Sequence, residues 1–114
     1  VSNWHERLAD LPAQAIAPDL TVHTARTAAQ RRRGLARMHP MPPDRALRLP
    51  RTRSIHTFGM RFALDLVWIG DRGQVVRIDR DIPPRRLKLC LRARAVIEAR
   101  AGHGDVFAHA LDRV

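Results

Sequence analysis

The chain has 114 residues, with 21 Lys or Arg against 11 Asp or Glu and a net charge of +10. That length fits one domain, and a hydrophobic content of 45% is enough for a real core, so disorder over most of the chain is excluded. No apolar run approaches the roughly 20 residues that a membrane-spanning helix needs.

In chain order, residues 1–19 are polar, contain Ala and Pro, and read as a flexible arm anchored by Trp4. Ala13-Gln14-Ala15 mimics a signal-peptidase site, but Glu6, Arg7 and Asp10 precede it and no apolar region does, so a cytoplasmic chain is expected. Asp19-Leu20-Thr21-Val22-His23-Thr24-Ala25 alternates apolar with polar residues and predicts a strand, which leaves His23 exposed. Thr27 is placed to cap a helix over 28–37, the one convincing helix, and Gly34 inside it marks close packing or the start of a C-cap. Pro40, Pro42 and Pro43 stop that helix.

Ala46-Leu47-Arg48-Leu49 and Ser54 to Thr57 predict short strands. Leu64 to Ile69 and Gln74 to Asp79, joined through Gly70-Asp71-Arg72-Gly73, predict a hairpin. Pro83 and Pro84 open a long basic loop containing Arg85, Arg86 and Lys88. Ala95 to Ala99 predicts a strand, and Asp105 to Ala110 a last one. Many short strands broken by Gly and Pro, with one early helix, predict a mainly β (α+β) domain over residues 20–114, built as a compact antiparallel sandwich or barrel.

Polar residues inside apolar β-runs are the candidates for function, because a buried polar group must find a partner. His56, Thr57 and Asp65 fall in or beside such runs, with Met60 between them, and Glu98 interrupts Val96-Ile97-Glu98-Ala99. On a strand Asp65 shares a face with Val67 and Ile69, while Leu64, Leu66 and Trp68 point the other way. A histidine with a carboxylate can act as a general base. The same residues can instead form structural bonds to backbone, with Glu98 pairing to an arginine such as Arg31 or Arg61. No His-x-His or His-Glu-x-x-His spacing occurs and the only cysteine is Cys90, so neither a metal nor a cofactor is expected.

The positive charge is almost all arginine, with Lys88 the one lysine, in an Ala-rich chain; a GC-rich bacterial coding bias accounts for such a composition without any nucleic-acid role. Arg26, Arg33 and Arg37 would lie near one face of the predicted helix and offer a weak polyanion-binding stripe. Nucleic-acid binding is not favoured, because the chain has no Tyr and only five aromatic residues to serve as stacking platforms. Three function classes stay open: a binding or accessory module for a small ligand or protein partner, a hydrolytic enzyme with a histidine–carboxylate pair, and a polyanion binder. A monomer is expected.

The blocks Arg31-Arg32-Arg33-Gly34-Leu35, His56-Thr57-Phe58-Gly59-Met60-Arg61-Phe62, Leu64-Asp65, Asp71-Arg72-Gly73 with Val75-Val76, Val96-Ile97-Glu98, Ala101-Gly102 and Gly104-Asp105 occur in that order. In these the chain resembles the bacterial and archaeal family known as domain of unknown function 192, from about Leu20 to Ala110. The resemblance implies a mostly β fold of jelly-roll-like type with a helix packed against it, and no assigned activity. The chain departs from that pattern where His103 alone separates Gly102 from Gly104, a place where relatives usually carry a longer loop.

Overall fold

A computed structural model describes residues 2–112. In chain order the elements are α1 (Trp4–Leu8), β1 (Ala13–Ala17), β2 (Leu20–Thr24), α2 (Ala28–Arg33), β3 (Arg45–Pro50), β4 (Ser54–His56), β5 (Leu64–Ile69), β6 (Val75–Ile82), β7 (Leu87–Leu89), β8 (Ala95–Arg100) and α3 (Gly104–Asp112). Six strands form one sheet in the order β1-β2-β3-β8-β5-β6, and β4 pairs with β7 in a separate ribbon. The fold is mostly β; α1 and α3 pack on the sheet, whereas α2, the helix expected to do so, buries none of its own residues, and no helix among the described residues is long and apolar enough to cross a membrane.

The sheet is mixed, not wholly antiparallel: β2 and β3 run parallel, with Val22 beside Ala46 and His23 beside Leu47. A parallel neighbour needs a crossover of a dozen or more residues. The stretch from Ala25 to Asp44, which holds α2 and the proline-rich loop, supplies it. The predicted hairpin forms as β5 and β6 across a turn closed by the Gly70 N–H to the Gln74 carbonyl, 2.8 Å, with Gly73 at φ +78°.

Among the described residues three helices form where one was expected. The predicted last strand is α3, because Gly104, Phe107, Ala108 and Leu111 recur at helical spacing and bury against the sheet. Those four residues and the alternating Val106, Ala108 and Ala110 overlap in one short segment, and burial of Phe107 decides between them; Val106 is left exposed.

Residues 4–17 are likewise no loose arm. Leu8 is only 1% exposed, Trp4 and Leu11 pack on the same apolar cluster, and β1 adds an antiparallel strand to β2. The buried partner for Trp4 is His23, which is 3% exposed where an exposed ring was expected. Arg45 stacks over the Trp4 ring and donates Nη1–H to His23 Nε2 at 3.1 Å. Burial first, and the Arg45 charge second, hold the His23 pKa below its ordinary value, so the ring stays neutral and can accept that bond.

Each face of the sheet carries its own core. Leu64, Leu66, Trp68, Leu47, Leu49 and Val96 pack beneath Leu8, Leu35, Met38, Met41 and Ile55. Val67, Ile69, Ile97, Ala99 and Val22 pack beneath Phe107 and Ala108. The alternation predicted along β5 therefore holds, and all six of its residues are buried.

The chain after α2 is anchored in the first core by Leu35 and Met38. Thr27 and Gln30 make a reciprocal capping box at the start of the helix. The helix stops after Arg33, four residues earlier than predicted, because Gly34 takes φ +51° and ψ −128° and only its N–H continues the ladder to Gln30. The carbonyls left over are met from α1: Arg7 donates to Gly34 O at 2.9 Å and Ala36 O at 2.7 Å. Arg7→Met keeps the stem and removes both bonds, and is expected to cost about 1–2 kcal/mol in chemical denaturation.

Candidate anion-binding cleft

The sequence-predicted residues do not converge on one pocket. In the β5–β8 pairing Asp65 faces Ala99 and Leu66 faces Glu98. Cross-strand partners share a side, so Asp65 and Glu98 point to opposite faces of the sheet. Asp65 lies on the α3 side, 1% exposed, and accepts N–H bonds from Asp81 at 3.0 Å, Gly102 at 3.0 Å and Gly104 at 2.8 Å. It fixes the turn into α3, and its anionic oxygens sit at the positive end of that helix. Thr57 is also internal to the scaffold: its hydroxyl donates to Pro83 O at 2.7 Å and accepts from the Arg86 N–H at 2.8 Å, which pins the loop before β7.

His56, Met60 and Glu98 do come together, around a cleft of about 400 Å³. One wall is the end of α2 and its turn, with Arg31, Arg32, Arg33 and Leu35; the other is the loop after β3 and the ribbon, with Arg51, Arg53, His56 and Leu87. Leu49, Ile55, Met60 and Glu98, all buried, form the base. Because Ser54 pairs with Leu89 and His56 with Leu87, the outward face of the ribbon presents His56 and Leu87 at the rim while Ile55 turns inward.

Glu98 is the unusual group. Burial removes its carboxyl from water and pushes its pKa up to about 7, against which a bond from the Leu35 backbone N–H acts only partly. No ion pair reaches it: among the described residues the ion pairs are Arg77–Asp79 and Arg80–Asp105, neither in the cleft. Oxygen Oε1 is buried with no hydrogen-bond partner, and so is Nη1 of Arg31 on the facing wall. A Cβ on Gly34 would lie 2.9 Å from that Oε1 and push the Glu98 carboxyl aside, and the positive φ favours glycine on its own account.

The expected arginine stripe is not formed. Arg26 precedes the cap, and Arg37, at φ +57°, follows the helix, so only Arg33 of the three is on α2 and in the cleft. Sequence reading missed Arg51 and Arg53 altogether. A signal was present: segments 45–64 and 82–97 hold ten Arg or Lys residues and no Asp or Glu, and no acid occurs in 20–43 either. His56 makes no hydrogen bond to a carboxylate among the described residues; its ring packs beside Phe58 with centroids 5.8 Å apart.

No curated protein matches this chain. Among solved structures it is similar to a putative transcription regulator from Sinorhizobium meliloti, with TM-score 0.69, 24% identity, and coverage of 77% of this chain and 74% of that one. It is also similar to a protein of unknown function from Novosphingobium aromaticivorans, with TM-score 0.66, 18% identity, and coverage of 93% and 89%. These likenesses establish a shared fold. A family model described as Uncharacterized ACR matches residues 11–108, which takes in both walls of the cleft and its base, and the chain therefore belongs to the DUF192 family.

Proposed function

We propose that the chain is a binding module whose cleft takes a small anion. The observation that carries this is the charge of the lining: Arg31, Arg32, Arg33, Arg51 and Arg53 line a recess in which the pKa of Glu98, the sole carboxyl there among the described residues, is pushed up to about 7 by burial. Guanidinium groups on two facing walls match the oxygens of phosphate or carboxylate, and a partly dry recess strengthens each such bond. The hydrolytic alternative needs His56 and an acid within bonding reach. The described residues supply no such pair, and Asp65 is on the far side of the sheet.

Calorimetric titration with orthophosphate tests the reading. Arg31→Met keeps the stem and removes the guanidinium whose Nη1 is buried without a partner, and roughly tenfold weaker binding is expected, the equivalent of one charge-assisted bond. Arg26→Met changes the net charge equally at a residue outside the cleft and is expected to leave binding within about twofold. Absence of orthophosphate binding by the unaltered chain would refute the proposal.

A further inference from the structure

We infer that the natural ligand of this cleft is a chain of two or more phosphoryl groups and not a single anion; the inference rests on the anion-binding reading above. A second recess, also of about 400 Å³, is lined by Arg51, Arg53 and Arg94, and its first two arginines are also those of the cleft wall. The two hollows thus share two lining residues, Arg51 and Arg53. An anion seated among Arg31, Arg33 and Arg53 leaves the far hollow facing water, whereas a linear oligoanion runs from one to the other past Arg51 and Arg53.

The second recess rests on a tied framework. The Thr52 N–H bonds to Arg94 O at 3.2 Å, the Cys90 N–H to Arg53 O at 2.8 Å, Arg53 Nε to Ala93 O at 3.2 Å, and the Arg94 N–H to Ile69 O at 2.7 Å. The loops carrying the three arginines are thereby stitched to each other and to the end of β5. Arg51 is held at φ +52°, a left-handed conformation that a side-chain-bearing residue adopts at a cost. None of the three arginines belongs to either ion pair of the described residues. Like charges held together without a counter-ion repel each other, and a bound polyanion relieves that repulsion while each planar fork takes two phosphate oxygens.

Orthophosphate, inorganic tripolyphosphate and adenosine triphosphate, titrated at one ionic strength into the intact chain and into Arg94→Ala and Arg26→Ala, decide the matter. Tripolyphosphate is expected to bind at least about tenfold more tightly than orthophosphate, the worth of one added charge-assisted contact. Arg94→Ala is expected to remove most of that gain and leave orthophosphate within about twofold, while Arg26→Ala changes neither. Arg94 is exposed and its side chain makes no hydrogen bond to the rest of the chain among the described residues, so the variant keeps its fold, which an unchanged melting temperature verifies. Equal affinity for the two inorganic anions overturns the inference, and so does a gain that survives in Arg94→Ala or falls as much in Arg26→Ala. Orthophosphate binding with either of those results leaves the cleft reading standing, so the two failures are distinct. Tripolyphosphate and adenosine triphosphate binding alike identifies the phosphoryl chain itself as the recognised group; tighter adenosine triphosphate adds a nucleoside to it.

Discussion

Between pH 5 and pH 8 the stability of Glu98→Gln relative to the unaltered chain is expected to rise by about 2–3 kcal/mol. The carboxyl of Glu98 is buried and holds its proton to a pH of about 7, whereas in the unfolded chain it releases it near its ordinary 4.5. Over that interval the folded state binds more protons than the unfolded state, so this group's contribution to stability falls as pH rises and levels off above about 7. Glutamine keeps an oxygen for the Leu35 N–H and never ionises, so it escapes the penalty. Asp105, whose pKa is lowered by its bonds to Arg80, acts in the opposite direction, with stability lost as pH falls through its folded pKa, and it is present in both proteins. Urea midpoints of the two proteins at pH 5, 6, 7 and 8 therefore isolate Glu98 in their difference. A difference that stays flat with pH would mean that the carboxyl is hydrated or paired in the folded state.

The same proton couples to the cleft. Neutral Glu98 puts no charge at the base of an arginine-lined recess, and ionised Glu98 opposes an incoming anion across it. By linkage, a bound anion must in turn favour the protonated carboxyl. Anion affinity should accordingly weaken as pH rises through about 7 in the unaltered chain and do so less in Glu98→Gln. The Glu98 variant, and not the pH profile alone, identifies the responsible group.

What the sequence made legible was local. Alternation along Leu64 to Ile69 gave the two faces of β5, since every residue there is buried and the period of two is undisturbed. Gly34 was legible as a helix end, although the Oε1 of Glu98, 2.9 Å from where a Cβ would be, lies 64 residues away in the chain. The failures were of pairing. Grouping Asp65 with Glu98 assumed that two acids in apolar strands meet; a one-residue offset in register decides whether they do, and no feature within either strand encodes it. The parallel β2–β3 pair, β1 and the arginines of the second recess were hidden for the same reason, since each depends on which distant segments become neighbours. Charge offered the one non-local clue: acid-free segments at 20–43, 45–64 and 82–97 supply every arginine of both recesses.

Asp65→Ala is expected to destabilise the chain by about 4 kcal/mol, a large part of the roughly 5–15 kcal/mol that holds a domain of this size together. Its carboxylate is the shared acceptor for three backbone donors, at Asp81 in β6 and at Gly102 and Gly104 around the turn into α3. Alanine leaves all three N–H groups without that acceptor. A side chain at position 104 cannot supply the lost oxygens, because a Cβ on Gly104 would lie only 2.6 Å from that of Asp65. The chain at this point is packed backbone against side chain, which explains why the connection through His103 can be so short: Asp65 holds both ends of it, at Gly102 and Gly104. Asp65→Asn keeps one acceptor oxygen but turns an amide N–H₂ toward the remaining donors, so about half the loss is expected. His56→Ala removes an exposed ring and is expected within about 0.5 kcal/mol of the unaltered chain. Urea midpoints for the three variants at one pH check the order. An Asp65→Ala protein as stable as the unaltered chain would show that the three donors are satisfied elsewhere, and would return Asp65 from the scaffold to the set of residues available for a ligand.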